Sequence, residues 1–297
     1  MGLVSAIIGL FRKITRRTIF LILALTLSFS IIFSNVVFIQ KINLYILSKS
    51  ISWTSEKAYN YIESLPEGSV VLLSADYAPS TKVENDPVVQ GFLTQAFRKN
   101  LKVIAISLWP DGAVLLENNI KMVALKMNKK EDEDYVIGGY VVGGSVAVEK
   151  MGINLKTAIP LLKNSNAEFL NNIRTAKDLK LVFCVAAGDT LQYYIKILGA
   201  RYGVNVAGGC TAVMAAEMYP YIMSNQLIGL FAGLKGACDY QILELKDQID
   251  PNNVPESVKN MFAQSIIHLL IVIFIIIANV VYFYERYEIK RKIKKKI

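Results

Sequence analysis

The chain has 297 residues, of which 53% are hydrophobic, and its formal net charge is +9. This composition is too apolar for an ordinary soluble protein of that length. The positive charge does not indicate nucleic-acid binding, because it lies beside two apolar runs near the ends and no nucleic-acid-binding motif accompanies it.

The first apolar run, residues 18–39, contains no charged residue. About 20 predominantly apolar residues are needed to cross the hydrocarbon of a bilayer as a helix, so this run predicts a transmembrane helix. A cleaved signal peptide is the alternative. The run is longer than a signal sequence's apolar core and no A-x-A-like site follows it, so we expect an uncleaved anchor. Residues 1–41 are therefore predicted to be a cytoplasmic N-terminus followed by the first transmembrane helix.

The second charge-free run, residues 262–284, predicts another transmembrane helix, so that residues 261–297 comprise this helix and a basic tail. The ends of the chain hold twelve of its 33 basic residues and two of its 24 acidic residues, which leaves 21 basic and 22 acidic residues in between. Basic residues beside a membrane span stay on the cytoplasmic side. We therefore expect a two-pass protein of the cell membrane, with the lipid bilayer as a partner, both ends inside and the middle domain extracytoplasmic.

Between the two runs, short apolar segments alternate with helical patterns. The predicted strands are residues 69–74, 102–108, 135–142, 179–186, 204–207 and 227–231. The predicted helices are residues 56–64, 87–99, 167–175, 190–202, 212–223 and 235–245. Continuous apolar strands alternating with helices are typical of an α/β fold with a largely parallel sheet and helices on both faces. The α/β domain is predicted to occupy residues 42–246, and residues 247–260 a linker.

Several kinds of chemistry are excluded by the residues that the middle domain lacks. The chain's one histidine, His268, lies in the second apolar run, so the domain has no Ser-His-Asp or Cys-His centre and no histidine-ligated metal. The glycine-rich segment 138–145 lacks the lysine of a P-loop, because Gly144 stands in that position, and we interpret it as a strand with a glycine-rich turn. Cys184 is expected in the core, and a bridge between Cys210 and Cys238 is possible in an oxidising compartment.

Polar and glycine residues follow the predicted strands. Ligands of parallel α/β sheets bind at the carboxyl ends of the strands. We therefore predict a ligand-binding rim, in which Lys235 helps to hold an anion at a helix N-terminus. The alternative is that these residues only cap helices and form turns, with Asp189 and Thr190 as N-caps and Asp111-Gly112 as a turn. The predicted ligand-binding residues are Asp76, Trp109, Asp111, Asp189, Thr190, Cys210, Thr211 and Lys235.

The two apolar runs also contain polar residues at helical spacing. Thr26, Ser30 and Ser34 recur every four residues, and Gln264 and His268 lie one turn apart at a similar depth. They are predicted either to join the two helices or to dock on a partner's helices. Hydroxyls bonded to their own helix backbone are the alternative.

Several short segments, taken in order, resemble a group of uncharacterised membrane-anchored α/β proteins of bacteria and archaea with two transmembrane helices. The resemblance covers most of residues 56–245 and implies the anchored-domain architecture but no activity. The segments are residues 97–99, 108–112, 187–190, 209–213 and 233–237.

The function favoured by these observations is binding of a ligand or partner by an anchored extracytoplasmic domain, within an assembly of other membrane proteins or copies of itself. No cofactor is indicated, and no nucleic acid. The alternative is a histidine-independent hydrolase, using a Ser/Lys pair or a divalent metal held by carboxylates. Its metal ligands would be Asp76, Asp111 and Asp189.

Overall fold

The computed structural model describes residues 15–245 and 254–294. They cluster into two compact units, Leu44–Ser257 and a second unit made of Met1–Asn43 with Val258–Ile297. The strands are β1 (Val70–Asp76), β2 (Lys102–Ser107), β3 (Tyr135–Tyr140), β4 (Leu181–Ala186), β5 (Val206–Cys210) and β6 (Leu230–Ala232). The α-helices are α1 (Arg16–Phe33), α2 (Val37–Ser48), α3 (Trp53–Ser64), α4 (Lys82–Arg98), α5 (Pro110–Met127), α6 (Ser145–Ile153), α7 (Leu155–Ala158), α8 (Thr190–Tyr193), α9 (Ala200–Tyr202), α10 (Ala215–Met223), α11 (Gly233–Leu245) and α12 (Glu256–Lys294).

Two helices of the second unit are long and apolar enough to cross a membrane. They are α1, with a mean hydropathy of 1.7, and residues Glu256–Arg291 of α12, which contain an 18-residue window with a mean hydropathy of 2.8. At 1.5 Å per residue, the 18 residues of α1 extend about 27 Å, close to the thickness of bilayer hydrocarbon.

The expectation of one helix through the first apolar run is wrong at its C-terminal end. Helix α1 ends at Phe33, and α2 begins at Val37. At the break, the Ser34 hydroxyl and the Asn35 side-chain amide both donate to the carbonyl of Ile31, at 2.7 and 3.2 Å. Such side-chain bonds to the backbone compete with continuation of the helix, which explains the interruption.

All five strand pairs of the domain are parallel, and the sheet has the order β3-β2-β1-β4-β5-β6. In register, Leu72 of β1 lies opposite Ile104 of β2 on one side and Val182 of β4 on the other. Strands β1 and β4 are buried along their whole length, as a sheet covered on both faces requires. The predicted α/β fold with a parallel sheet is confirmed.

Helices cover both faces of this sheet. Helices α3, α4, α5 and α11 pack on one face, where Phe92 stacks on Phe183 with ring centroids 4.2 Å apart. The other face is covered by α6, α10 and the helical segment 190–202, together with short 3-10 turns. Segment 190–202 is π-helical in its centre, from Tyr194 to Gly199.

Several element predictions need correction. The helix expected at residues 167–175 is instead a 3-10 turn, Glu168–Asn172, followed by extended residues. Helices α2, α5, α6 and α7 were not predicted. Residues 247–253 of the expected linker lie outside the described residues. The rest of the expected linker is helical from Glu256 onwards. Strand β1 continues two residues beyond its predicted end, which draws Asp76 into the sheet.

Close packing of α5 on the sheet depends on Gly112. A Cβ atom at this position would lie 2.2 Å from the carbonyl oxygen of Ala75. We expect Gly112→Ala to lower the free energy of unfolding by about 1–3 kcal/mol through overpacking. The measurement is urea unfolding of the full chain in detergent, with tryptophan fluorescence as the signal that is monitored.

Gly199→Ala is the matched control, because a Cβ there would make only ordinary contacts, the closest at 3.6 Å. Alanine in a helical position should leave stability unchanged or raise it by up to about 1 kcal/mol. Equal effects of the two substitutions would contradict this account of α5.

Candidate functional site

The carboxyl ends of the six parallel strands lie along one edge of the sheet. Every predicted ligand-binding residue ends a strand or follows one closely, so the structure brings all eight to this carboxyl edge. They differ in exposure. Asp76, Thr190, Cys210 and Thr211 are buried, Trp109 and Lys235 are half-buried, and Asp111 and Asp189 are exposed.

The centre of the carboxyl edge is the point where β1 and β4 lie side by side. The chain leaves β1 towards α4 on one face of the sheet and leaves β4 towards segment 190–202 on the other. Such a reversal of strand order opens a crevice in which doubly wound proteins bind their ligands. We call residues 76–81 and 186–190 the switch-point crevice.

Asp76 ends β1 at the base of this crevice and is fully buried. One carboxylate oxygen accepts from the backbone N–H of Leu108 at 2.6 Å, and the Ser74 hydroxyl donates to the other oxygen at 2.9 Å. The Cys184 thiol donates at 3.5 Å. Residues two apart on a strand point to the same face, so Ser74 and Asp76 share a polar stretch of an otherwise apolar strand. Asp76 therefore joins β1, β2 and β4.

A buried tyrosine extends this polar cluster. The Tyr194 hydroxyl donates to Ser74 Oγ at 2.9 Å, and Tyr194 is the first residue of the π-helical section. π-Helical turns occur frequently at functional sites. Ser74 and Tyr194 were not predicted as site residues. The signal for Ser74 is its two-residue spacing from Asp76, whereas Tyr194 reaches the cluster only through the fold.

Burial suppresses ionisation throughout the cluster. Desolvation raises the pKa of Asp76, although the Leu108 N–H and the Ser74 hydroxyl act in the opposite direction. The pKa values of the Cys184 thiol and the Tyr194 phenol are held well above their ordinary values. The larger cause is burial, and the smaller one is the charge of the neighbouring Asp76 carboxylate. A thiol held in this way is a poor nucleophile, so the cluster does not have the character of a cysteine active site.

Two buried polar atoms of the described residues have no hydrogen-bond partner, and both belong to the elements that follow β1 and β4. They are Oγ1 of Thr190, whose residue is 4% exposed, and Oδ1 of Asn85, whose residue is 1% exposed. The Thr190 hydroxyl interacts with Asp76 closely enough to lower the pKa of that carboxyl, but the geometry between the two groups is not that of a hydrogen bond. Buried oxygens without partners are uncommon in folded proteins.

Trp109 and two glycines border the crevice. A Cβ atom on Gly188 would lie 3.1 Å from Cζ2 of Trp109, so the indole packs directly against this glycine. Asp111-Gly112 does not form the suggested turn, because both residues lie in the first turn of α5. Asp189 is the N-cap residue of α8, but its side chain makes no capping hydrogen bond.

The cysteines are free in the structure, and the suggested Cys210–Cys238 bridge is absent. Gly209 faces Val88 of α4, so Cys210, the next residue of β5, points to the opposite face. Cys238 belongs to α11, which packs on the same face as α4. The sheet therefore separates these two thiols.

The glycine-rich segment 138–145 is a strand end followed by a turn, as predicted, with positive φ at Gly143 and Gly144.

Lys235 does not lie free at the rim as an anion holder. Its ammonium group pairs with Asp239 and donates to the carbonyl of Ser50 at 2.8 Å. Asp239 also accepts from the Ser52 backbone N–H at 3.1 Å, and Ser55 donates to the same carboxylate. This ion pair joins α11 to the start of α3, so its role is structural.

The proposed metal ligands do not come together. Asp76 is buried inside the sheet, while Asp111 and Asp189 are exposed at its edge, and residues 15–245 and 254–294 hold no group of three His, Cys, Asp or Glu that could bind a metal ion. The alternative of a hydrolase with these three carboxylates as metal ligands is therefore not supported by the geometry.

The predicted packing residues of the apolar helices separate into two sets. Ser30 and Ser34 are buried and bond their own helix backbone, and Thr26 and Ser30 line a groove of about 410 Å³ with Phe262 and Ile266. Gln264 is half-buried, but His268 is exposed. His268 therefore does not join α12 to α1.

The ionisation of Asp76 can be tested by its effect on stability. Because its pKa is higher in the folded than in the unfolded chain, the contribution of Asp76 to the free energy of unfolding should fall as pH rises above about 4 and level off beyond the folded pKa. Asp76→Asn cannot ionise, so its stability relative to wild type should rise with pH in urea unfolding. A difference that stays constant or falls with pH would contradict the assignment.

Asp76→Leu serves as the comparison, because it removes the charge but leaves the Leu108 N–H without an acceptor. It should lose about 1–3 kcal/mol relative to Asp76→Asn at every pH.

The chain was also compared with known proteins. No family model matches it, and neither the curated proteins nor the solved structures include a significant match. The resemblance to membrane-anchored α/β proteins therefore stays a prediction. The strand order is that of doubly wound dinucleotide-binding folds, but architecture alone does not establish function.

Proposed function

We propose that this chain is a membrane-anchored protein whose extracytoplasmic α/β domain binds a small ligand at the switch-point crevice. The ligand carries hydroxyl or amino groups and no phosphate. The observation that carries this proposal is the unpartnered buried oxygen of the crevice, Thr190 Oγ1; a second such oxygen, Asn85 Oδ1, lies in the helix that follows β1.

Membrane anchoring is supported by the two long apolar helices and by the charges beside them. Arg16 and Arg17 begin α1, and Arg286, Lys290 and Arg291 lie near the end of α12. Basic residues of this kind stay in the cytoplasm during insertion. Both flanks are then inside, and a domain inserted between the two helices is outside.

Ligand binding is supported by the energetics of the unpartnered oxygens. A buried polar group without a hydrogen-bond partner lowers the free energy of unfolding by about 1–3 kcal/mol. Folding alone gives no reason for a chain to retain such a group. A ligand that hydrogen-bonds to these atoms would recover this energy. Asn85 Oδ1 accepts only, so its ligand group must be a donor, whereas Thr190 Oγ1 both donates and accepts.

The charge around the crevice argues against phosphate. The turn after β1, residues 77–81, contains proline but none of the glycines that allow a backbone to approach a pyrophosphate. Glu84 accepts from the backbone N–H of Ala212 at 2.8 Å, so this amide at the rim is already used. Lys82 pairs with Asp86 at 3.6 Å, while Asp111 and Asp189 are exposed. The carboxylates favour a neutral or positively charged ligand.

Thr190→Val tests the proposal, because valine removes the unpartnered hydroxyl with little change of shape. The full chain is purified from membranes in mild detergent and examined by native mass spectrometry. We expect a small-molecule adduct on the wild type that Thr190→Val loses, while the variant's free energy of unfolding stays equal or rises.

Thr54→Val is the matched control, because Thr54 is equally buried but its hydroxyl bonds to Ser52 Oγ at 2.9 Å. This variant should keep the adduct and lose about 0.5–1.5 kcal/mol. An adduct that survives in Thr190→Val would contradict the assigned site. Absence of an adduct, with Thr190→Val destabilised like Thr54→Val, would contradict ligand binding.

A further inference from the structure

Helix α12 has two opposite faces within its apolar part. One face is covered, and it contains Ala263, Leu270, Phe274, Ile277 and Val281, which are buried or half-buried. The other face is exposed along its length, as shown by Val272 at 50% and Ile275 at 55%.

Besides the half-buried Gln264, the exposed face carries two strongly polar side chains, His268 and Asn279. Eleven residues separate them, which is three helical turns with about 20° left over, so they lie on one face about 17 Å apart along the axis. Asn279 donates one N–H to the Ile275 carbonyl at 2.8 Å. Its other N–H, its oxygen and the His268 ring have no hydrogen-bond partner among residues 15–245 and 254–294.

These groups would be costly in contact with lipid. Hydrocarbon offers no hydrogen bonds, so a polar side chain within a bilayer turns towards a partner helix or water. Helix α1 does not supply this partner. Thr26 and Ser30 of α1 share a groove with Phe262 and Ile266 of α12. These two residues of α12 lie on a different side of the helix from His268.

We propose that the exposed face of α12 pairs with the same face of a second copy, forming a parallel dimer in the membrane. The inference rests on the membrane insertion proposed above. All copies of one chain insert in the same direction, so a two-fold axis along the membrane normal places each residue opposite its counterpart at equal depth.

Both polar side chains fit this symmetry. An amide has donors and an acceptor, and a neutral imidazole has one of each, so either group can bond to its own copy. Asn279 then meets the partner's Asn279, and His268 meets the partner's His268 three turns away. A partner of different sequence would need matching groups at both depths, whereas a second copy supplies them by symmetry.

The test is energy transfer between full chains that carry donor or acceptor fluorescent proteins at the C-terminus, in vesicles of varied protein-to-lipid ratio. Asn279→Leu should weaken dimerisation by about 3- to 30-fold, from hydrogen bonds between membrane helices of about 0.6–2 kcal/mol. Asn279→Gln, which keeps the amide, should retain more of the association.

Ser28→Leu is the matched control, because Ser28 is an exposed polar residue of α1 whose hydroxyl bonds to its own helix at Ala24. It should dimerise like the wild type. Alkaline carbonate extraction of the same membranes separates the two proposals. Extraction of the wild-type chain would overturn both membrane insertion and the dimer. A chain that resists extraction but is monomeric, or is unaffected by Asn279→Leu, would overturn the dimer alone.

Discussion

A parallel strand pair forms only if the chain returns to the same end of the sheet before each new strand, and this constraint organises the whole domain. It requires a crossover between each pair of successive strands, and it places all six carboxyl ends on one edge. With the order β3-β2-β1-β4-β5-β6, the first and fourth strands meet in the middle, and their following helices pack on opposite faces. The centre of the carboxyl edge is therefore the topological switch point of the sheet, the place where doubly wound proteins bind their ligands.

The side chains at that centre differ from those of dinucleotide-binding sites built on the same strand order. A buried polar cluster fills the base of the crevice, where Asp76 accepts hydrogen bonds from the Leu108 N–H and the Ser74 hydroxyl, and Ser74 accepts one from Tyr194. Carboxylates surround the rim, and the turn after β1 has no phosphate-binding glycines. For this reason the ligand that we propose is polar and lacks phosphate, although the strand order is the one that dinucleotide-binding proteins use.

Much of the fold was predictable because its strands are continuous apolar runs, a pattern that only a sheet covered on both faces explains. The break after α1 and the 3-10 turn at Glu168–Asn172 were not, because both depend on local side-chain bonds and tertiary packing. Helix α5 was missed although it begins with proline at its first position, which is a recognised start signal.

The sequence predicted that the site residues lie at the carboxyl edge of the sheet. It did not predict which of them are buried or which groups they contact. Asp76, Asp111 and Asp189 look alike in the sequence, each following an apolar run. Strand β1 continues for two residues past Ser74, so Asp76 lies in the sheet and is buried. Asp111 and Asp189 lie beyond the ends of their strands and are exposed to water. Likewise, Lys235 was predicted to hold an anion, and only the fold shows that it pairs with Asp239. Exposure and pairing are set by tertiary contacts, which sequence spacing does not contain.

Which molecules can reach the crevice depends on the side of the membrane that the domain faces, so extracytoplasmic placement is the central claim of the proposed function. Labelling with a membrane-impermeant maleimide tests it directly, because Cys184, Cys210 and Cys238 are buried and Glu117 is exposed. We expect Glu117→Cys to be labelled in intact cells, whereas a cysteine appended after Ile297 should be labelled only after permeabilisation. Labelling of the appended cysteine in intact cells, with Glu117→Cys protected, would contradict this placement.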